Sequence, residues 1–97
     1  PMSIREVLGS KRDEILRLAR KHGVSRVCVF GSVACGDATD ESDVDLLIDV
    51  TGPTTPWFPG GLVWDLEGLL GRRVDVVEPE ALPDTARNRI LNEAVPL

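Results

Sequence analysis

Apolar residues recur along this chain with two different periods. In residues 44–50, Val44, Leu46, Ile48 and Val50 alternate with Asp45, Leu47 and Asp49, and this period of two predicts a strand with one core face. Residues 26–30, with Val27, Cys28, Val29 and Phe30, predict a short and largely buried strand, and residues 73–78 a third one. Elsewhere the period is helical. Ile15, Leu18, Ala19 and His22 share one helix side, with Lys11, Arg12, Glu14, Arg17 and Arg20 mostly opposite. Ser3 and Glu6 have capping-box spacing, and Ser10 with Asp13 offers a second start, so one broken helix or two short ones precede Gly23. Leu62, Leu66, Leu69 and Leu70 form a stripe stopped by Gly71, and Ala86, Ile90, Leu91 and Ala94 form another between Pro83 and Pro96. Residues 51–61, TGPTTPWFPGG, read as a loop, and residues 31–40 as a turn with room for one helical turn. No repeat or low-complexity segment interrupts the series.

A chain of 97 residues, 42% apolar and 28% charged, predicts one globular domain over residues 1–97, with Pro1 ahead of Met2 read as a cloning remnant. So small a core leaves no room for a separate substrate domain, so a large substrate is to be held by a partner. The net charge of −5 opposes non-specific binding to nucleic acid or an anionic membrane and favours a basic partner or a metal-masked phosphate. Neither a leader pattern nor an apolar run of 18 residues is present. Cys28 and Cys35 lack metal-ligand spacing, and His22 is the only histidine. Both cysteines read as free thiols of a reducing cytoplasm, and His22 as a helix-terminal residue beside the negative end of the dipole.

The candidate chemistry lies in "VFGSVACGDATDESDVDLLIDV", residues 29–50. Alternation along a strand turns Asp43 and Asp45 to the same side, with Cα atoms about 6.5 to 7 Å apart, where both carboxylates can close on one hard cation. Like charges so close are compensated by a divalent ion, and Mg²⁺ takes one or two carboxylates and completes its shell with water and phosphate. Asp75 alternates with Val74 and Val76 and is a third candidate if its strand lies beside the second. Gly31 lets backbone approach a phosphate, and Ser32 adds a hydroxyl and an amide at a possible helix start. A P-loop is excluded because Asp37 and Ala38 stand where it needs lysine and a hydroxyl residue, and an EF-hand because its oxygen ligands and central glycine are missing. Asp37, Asp40 and Glu41 read as ordinary turn acids, Asp49 as a surface or strand-end charge, and Ser42 as a turn hydroxyl that orients Asp43.

"GSVACGDATDESDVDLLID" resembles the Gly-Ser, ten residues, Asp-x-Asp signature of the DNA polymerase β-type nucleotidyltransferases. The likeness extends from "DEILRLARKHGVSRV" through "LEGLLGRRVDVVEPEAL" to "RILNEAVPL", and the short chain is similar to the minimal nucleotidyltransferases paired with HEPN toxins. The resemblance implies an α/β fold with a short mixed β-sheet backed by helices. It further implies that Gly31 and Ser32 hold the triphosphate of ATP, that Asp43 and Asp45 bind two Mg²⁺ ions, and that Asp75 binds one of them and helps deprotonate the acceptor. The implied reaction is transfer of AMP from ATP to a tyrosine hydroxyl of a HEPN ribonuclease toxin, which makes the chain an antitoxin in a hetero-oligomer or homo-oligomer.

The chain departs from that family at Cys35, where arginine is common. An arginine there would either screen phosphate or brace the turn; Arg72 or Arg73 are possible substitutes, although an ion pair is the simpler role for Arg73. The departure leaves room for an alternative, a non-catalytic antitoxin subunit that inhibits by forming an occluding complex. Trp57 and Phe58, with Trp64 a turn or two beyond, are expected either to fold back on the core or to offer a protein interface or a rim near the adenine, and Leu91, Val95 and Leu97 either to extend the core or to meet a partner.

Overall fold

A computed structural model describes residues 2–97; Pro1, read as a cloning remnant, lies outside the described residues. Helix α1 spans Ile4–Ser10 and α2 Arg12–Lys21, so the N-terminal segment is two short helices. The capping box starts α1: the Glu6 amide donates to Ser3 Oγ at 3.2 Å and the Ser3 amide to Glu6 Oε1 at 3.3 Å. Ser10 does not cap α2, because its hydroxyl is turned back to the Val7 carbonyl at 2.8 Å and Lys11 stands at the cap.

Strand β1 is Val24–Phe30, followed by the single-turn helix α3 at Ser32–Cys35, strand β2 at Val44–Val50 and helix α4 at Gly60–Leu70. Strand β3 at Val74–Val77, a 3₁₀ turn at Pro79–Ala81, helix α5 at Asp84–Glu93 and the two-residue strand β4 at Val95–Pro96 complete the chain. The sheet order is β3-β2-β1-β4, with β2 and β3 parallel and the other pairs antiparallel. The result is the α/β architecture with a short mixed sheet. β4 was not foreseen, since Pro96 reads as a stop; it pairs only at Cys28 and Val29, on the edge that tolerates a missing amide donor.

Strand alternation sorts the two faces. Val27, Val29, Val44, Leu46, Ile48 and Val74 join Leu8, Ile15, Ala19, Leu62 and Leu66 in the main core, under α1, α2 and α4. Cys28 and Leu47 meet Leu82 and Ile90 in a smaller cluster beneath α5, with Phe30 and Val77 beside them. The leucine stripe of α4 is core, and full burial of Leu62 and Leu66 stabilises the fold by about 1.5–3 kcal/mol each. Phe58 and Leu97 pack on the main core, whereas Trp57, Trp64, Leu91 and Val95 are exposed.

His22 is the buried polar residue that ties α2 to α4 and to the loop between β2 and α4. Its Nε2 donates to Asp65 Oδ2 at 2.7 Å, its Nδ1 pairs with the Thr55 hydroxyl, and Lys21 Nζ donates to the same Asp65 oxygen at 3.1 Å. The bonds from His22 and then from Lys21 hold the Asp65 carboxyl below its ordinary pKa. A Cβ at Gly61 would lie 2.9 Å from His22 Cε1, so only glycine lets α4 come this near the ring. Among the described residues, no helix is long and apolar enough to cross a membrane.

Candidate active site

The strand parity that puts Val44, Leu46 and Ile48 into the main core turns Asp45 to the opposite face, the one α5 covers only in part. Parallel pairing sets Asp45 beside Asp75, just as Leu47 is set beside Val77 farther along. Asp43 precedes β2 with the same parity. The Asp45 carboxyl is raised above its ordinary pKa, first by burial, then by the charges of Asp75 and Asp43. Asp43, Asp45 and Asp75 thus share the parity of one sheet face and act on one another electrostatically, but they are not drawn into one three-carboxylate cluster.

Gly31 stands where β1 leaves the sheet, next to Phe30, the register partner of Asp45. Its backbone lies at φ 72° and ψ −149°, a region glycine tolerates, and a Cβ there would collide with Asp45 Oδ2. Gly31 is thus demanded both by the bend and by the carboxylate behind it. Ser32 opens α3, as expected for a donor at a helix start, and the turn closes through Cys35 N–H to the Gly31 carbonyl at 3.1 Å and Asp37 N–H to the Ser32 carbonyl at 2.9 Å.

The loop leading to Asp43 is fixed from both sides. The Thr39 amide donates to Ser42 Oγ at 2.8 Å, so Ser42 is the turn hydroxyl it was read to be. Arg72 donates to the Ser42 carbonyl at 2.9 Å and the Thr39 carbonyl at 3.4 Å, which commits its guanidinium to bracing this loop rather than to replacing a phosphate-facing arginine. Arg73 Nε stands 4.0 Å from Asp43 Oδ1, the ion pair anticipated for it, although its side chain is 82% exposed. Asp49 is opposite Arg26 in the sheet register, at the far end of β2 from Asp43.

The donor chemistry fits a hard cation such as Mg²⁺: all three side chains offer carboxylate oxygens, and Asp45 is paired in register with Asp75. Among the described residues, no three acidic, histidine or cysteine side chains stand close enough together to hold a metal ion. An open acidic face suits an ion that keeps water and substrate phosphate in its shell, as Mg²⁺ does.

One residue of the site escaped the sequence reading. Glu93, at the last position of α5, accepts from the Gly31 amide through Oε1 at 3.4 Å and from the Cys35 thiol through Oε2 at 3.8 Å. Arg89, one turn earlier, lies 3.9 Å from the same Oε2. The i, i+4 spacing of Arg89 and Glu93 signals only a surface helix pair, and nothing in the sequence joins position 93 to position 31. Cys35, read as a neutral turn residue, faces this carboxylate and is exposed and unpaired with Cys28, which is buried.

Comparison with known proteins agrees with this fold. Residues 12–97 match the nucleotidyltransferase domain family. A protein of Methanocaldococcus jannaschii, provisionally named a protein adenylyltransferase, is 34% identical over 94 residues, 97% of each chain. Protein adenylyltransferase MntA of Thermococcus cleftensis is 37% identical over 78 residues, covering 80% of this chain and 79% of its own. A solved structure provisionally described as a minimal nucleotidyltransferase superposes with a TM-score of 0.83 at 44% identity, covering 99% of this chain and 97% of that one. The crystal structure of a toxin-antitoxin with AMP-PNP shares the fold, with a TM-score of 0.71 at 19% identity over 87% of this chain and 69% of that one.

Proposed function

The chain belongs to the nucleotidyltransferase domain family, and on that premise we propose that it is an Mg²⁺-dependent enzyme that transfers AMP from ATP to a tyrosine hydroxyl of a partner HEPN ribonuclease toxin, acting as its antitoxin. The observation that carries the reading is the placement of Asp43, Asp45 and Asp75 on one face, directly behind the Gly31–Ser32 bend. The names of the two archaeal relatives support a protein as the acceptor. Two free thiols fit a reducing cytoplasm.

In this reading the Ser32 hydroxyl and the backbone amides of residues 32–34 donate to the triphosphate oxygens, while Gly31 lets the phosphates approach the backbone. Asp43, Asp45 and Asp75 would hold Mg²⁺, which when bound would neutralise phosphate charge and favour ionisation of the acceptor hydroxyl. Asp75, at the open edge strand, accepts the tyrosine proton. The tyrosine oxygen then bonds to the α-phosphorus, and the bond from that phosphorus to the bridging oxygen breaks to release pyrophosphate. Arg72 and Ser42 keep the Asp43 loop in place without touching the reacting atoms.

The test is intact-mass spectrometry of the partner toxin after incubation with this protein, ATP and Mg²⁺, alongside the Asp43→Asn/Asp45→Asn variant. Added AMP masses only with the intact aspartates support transfer. An occluding subunit is the second reading, favoured by the 91% exposure of Trp57 and the 80% exposure of Trp64, two large apolar side chains held out on one loop and the helix after it. Full protection from the toxin with no added mass, and equally with the double variant, would select occlusion.

A further inference from the structure

The Gly31–Cys35 turn has a carboxylate from a distant helix fastened across it. Glu93 touches the first residue of the turn through one oxygen and the last through the other, by the Gly31 amide at 3.4 Å and the Cys35 thiol at 3.8 Å. Arg89 engages the same carboxylate at 3.9 Å, so the charge brought to the turn is partly compensated by its own helix. The Glu93 side chain is only 23% exposed, well below the 67% of Arg89, which orders it for contact rather than for solvent.

Geometry gives this contact a task. Gly31 is pressed between two carboxylates, Asp45 where its Cβ would be and Glu93 on its amide. Its backbone occupies a conformation open to few residues, with φ 72° and ψ −149°, and a flexible glycine there needs an external partner to keep its peptide plane in one orientation. The orientation of that plane sets where Ser32 and the following amides point. A four-residue helix is too short to hold itself.

We propose that Glu93 is a positioning residue for the nucleotide site: its carboxylate clasps both ends of the Gly31–Cys35 turn and aims the turn's donors at the triphosphate. This assignment deepens the proposed AMP transfer and rests on it. It also accounts for Cys35, which reaches Glu93 and serves as the weaker arm of the clasp.

The experiment uses the full chain with Glu93→Ala and Glu93→Gln. Glutamine keeps a carbonyl oxygen able to accept from the Gly31 amide; alanine keeps none. Without nucleotide, exchange of the Gly31 and Ser32 amides, followed by NMR, is expected to rise about tenfold in Glu93→Ala, with the amides of β2 unchanged and Glu93→Gln close to the parent. In AMP transfer, Glu93→Ala is expected to raise KM for ATP about tenfold with kcat within about twofold, and Glu93→Gln to restore most of the affinity. Unchanged Gly31 exchange in Glu93→Ala overturns the proposal. So does a lower KM in either variant, because the carboxylate would then obstruct phosphate, and so does a Glu93→Gln defect equal to that of Glu93→Ala. If Glu93→Ala does not fold, Glu93→Asp, one methylene shorter and unable to span both ends, takes its place with the same expectations. The exchange readout needs no activity: a parent protein that transfers no AMP overturns the proposed function, while Gly31 exchange still decides whether Glu93 seats the turn.

Discussion

Asp45 and Asp65 are acids of the same fold in opposite settings. Asp65 receives His22 and Lys21, and its carboxyl lies below the ordinary pKa; Asp45 receives burial and two more acids, and lies above it. A glycine stands beside each cluster, Gly61 against the His22 ring and Gly31 against the Asp45 carboxylate, because both clusters need backbone closer than a side chain allows. The His22 cluster is complete as it stands and holds α2, α4 and the loop together. The Asp45 cluster gathers burial and like charge with only the exposed Arg73 near it, the setting in which the proposed function would place a cation.

The strongest way to sharpen that contrast is to neutralise each cluster. Asp43→Asn with Asp45→Asn should lower AMP transfer on the order of a thousandfold or more, measured as AMP mass on the toxin, because several kcal/mol of charge stabilisation go with the ion. The same variant should not lose thermal stability without Mg²⁺. Gly31→Ala should nearly abolish transfer as well, and should also destabilise the fold by about 1–3 kcal/mol in chemical denaturation, since it strains the backbone and strikes Asp45.

His22→Ala should do the reverse. It should cost about 1–3 kcal/mol of stability by removing the ring's bonds to Asp65 and Thr55, while kcat at a temperature well below melting stays near the parent value. A large loss of kcat in the folded His22→Ala protein would break the division between the two clusters.

Melting temperature against pH reads the same contrast with smaller amplitude. Asp45, raised above 3.8, contributes stability that is fully present below that value and is lost as pH rises through its folded pKa. Asp65, lowered from 3.8, contributes stability that is present above that value and is lost as pH falls through its folded pKa. At neutral pH without Mg²⁺, Asp45→Asn should therefore melt above the parent and Asp65→Asn below it. Added Mg²⁺ should raise the melting temperature of the parent and leave Asp45→Asn nearly unmoved. The smallest effect is expected from Cys35→Arg, which faces Glu93 and should add about 0.2–1 kcal/mol through an exposed ion pair.

Residues that state their role through local periodicity were legible in the chain. Alternation in β2 separated Val44, Leu46 and Ile48 from Asp45, and the leucine spacing of α4 marked its core face. Asp75 could be placed beside Asp45 only on condition that the two strands paired, and the parallel register met that condition. The boundaries slipped by a few residues: β1 starts at Val24 and α4 at Gly60. Contacts between distant elements were the part that pattern could not carry. His22 was read only as a helix-terminal residue beside the dipole, because its partners, Thr55 and Asp65, are 33 and 43 positions away. Phe58 and Trp57 are neighbours of like chemistry, yet one packs on the core and the other does not, a distinction set by the path of the loop. Glu93 was invisible for the same reason.

The separation between Gly31 and Glu93, 62 positions, has a consequence for the order of events during synthesis and folding. Closing a span of that length costs more chain entropy than closing a local turn, and it brings its contact only after β1, β2, β3 and α5 have found one another. A nascent chain can therefore assemble its acidic strand and its bend well before Glu93 fastens the bend. If Glu93 seats the turn as proposed, the turn is held in place only in a chain whose last helix has docked.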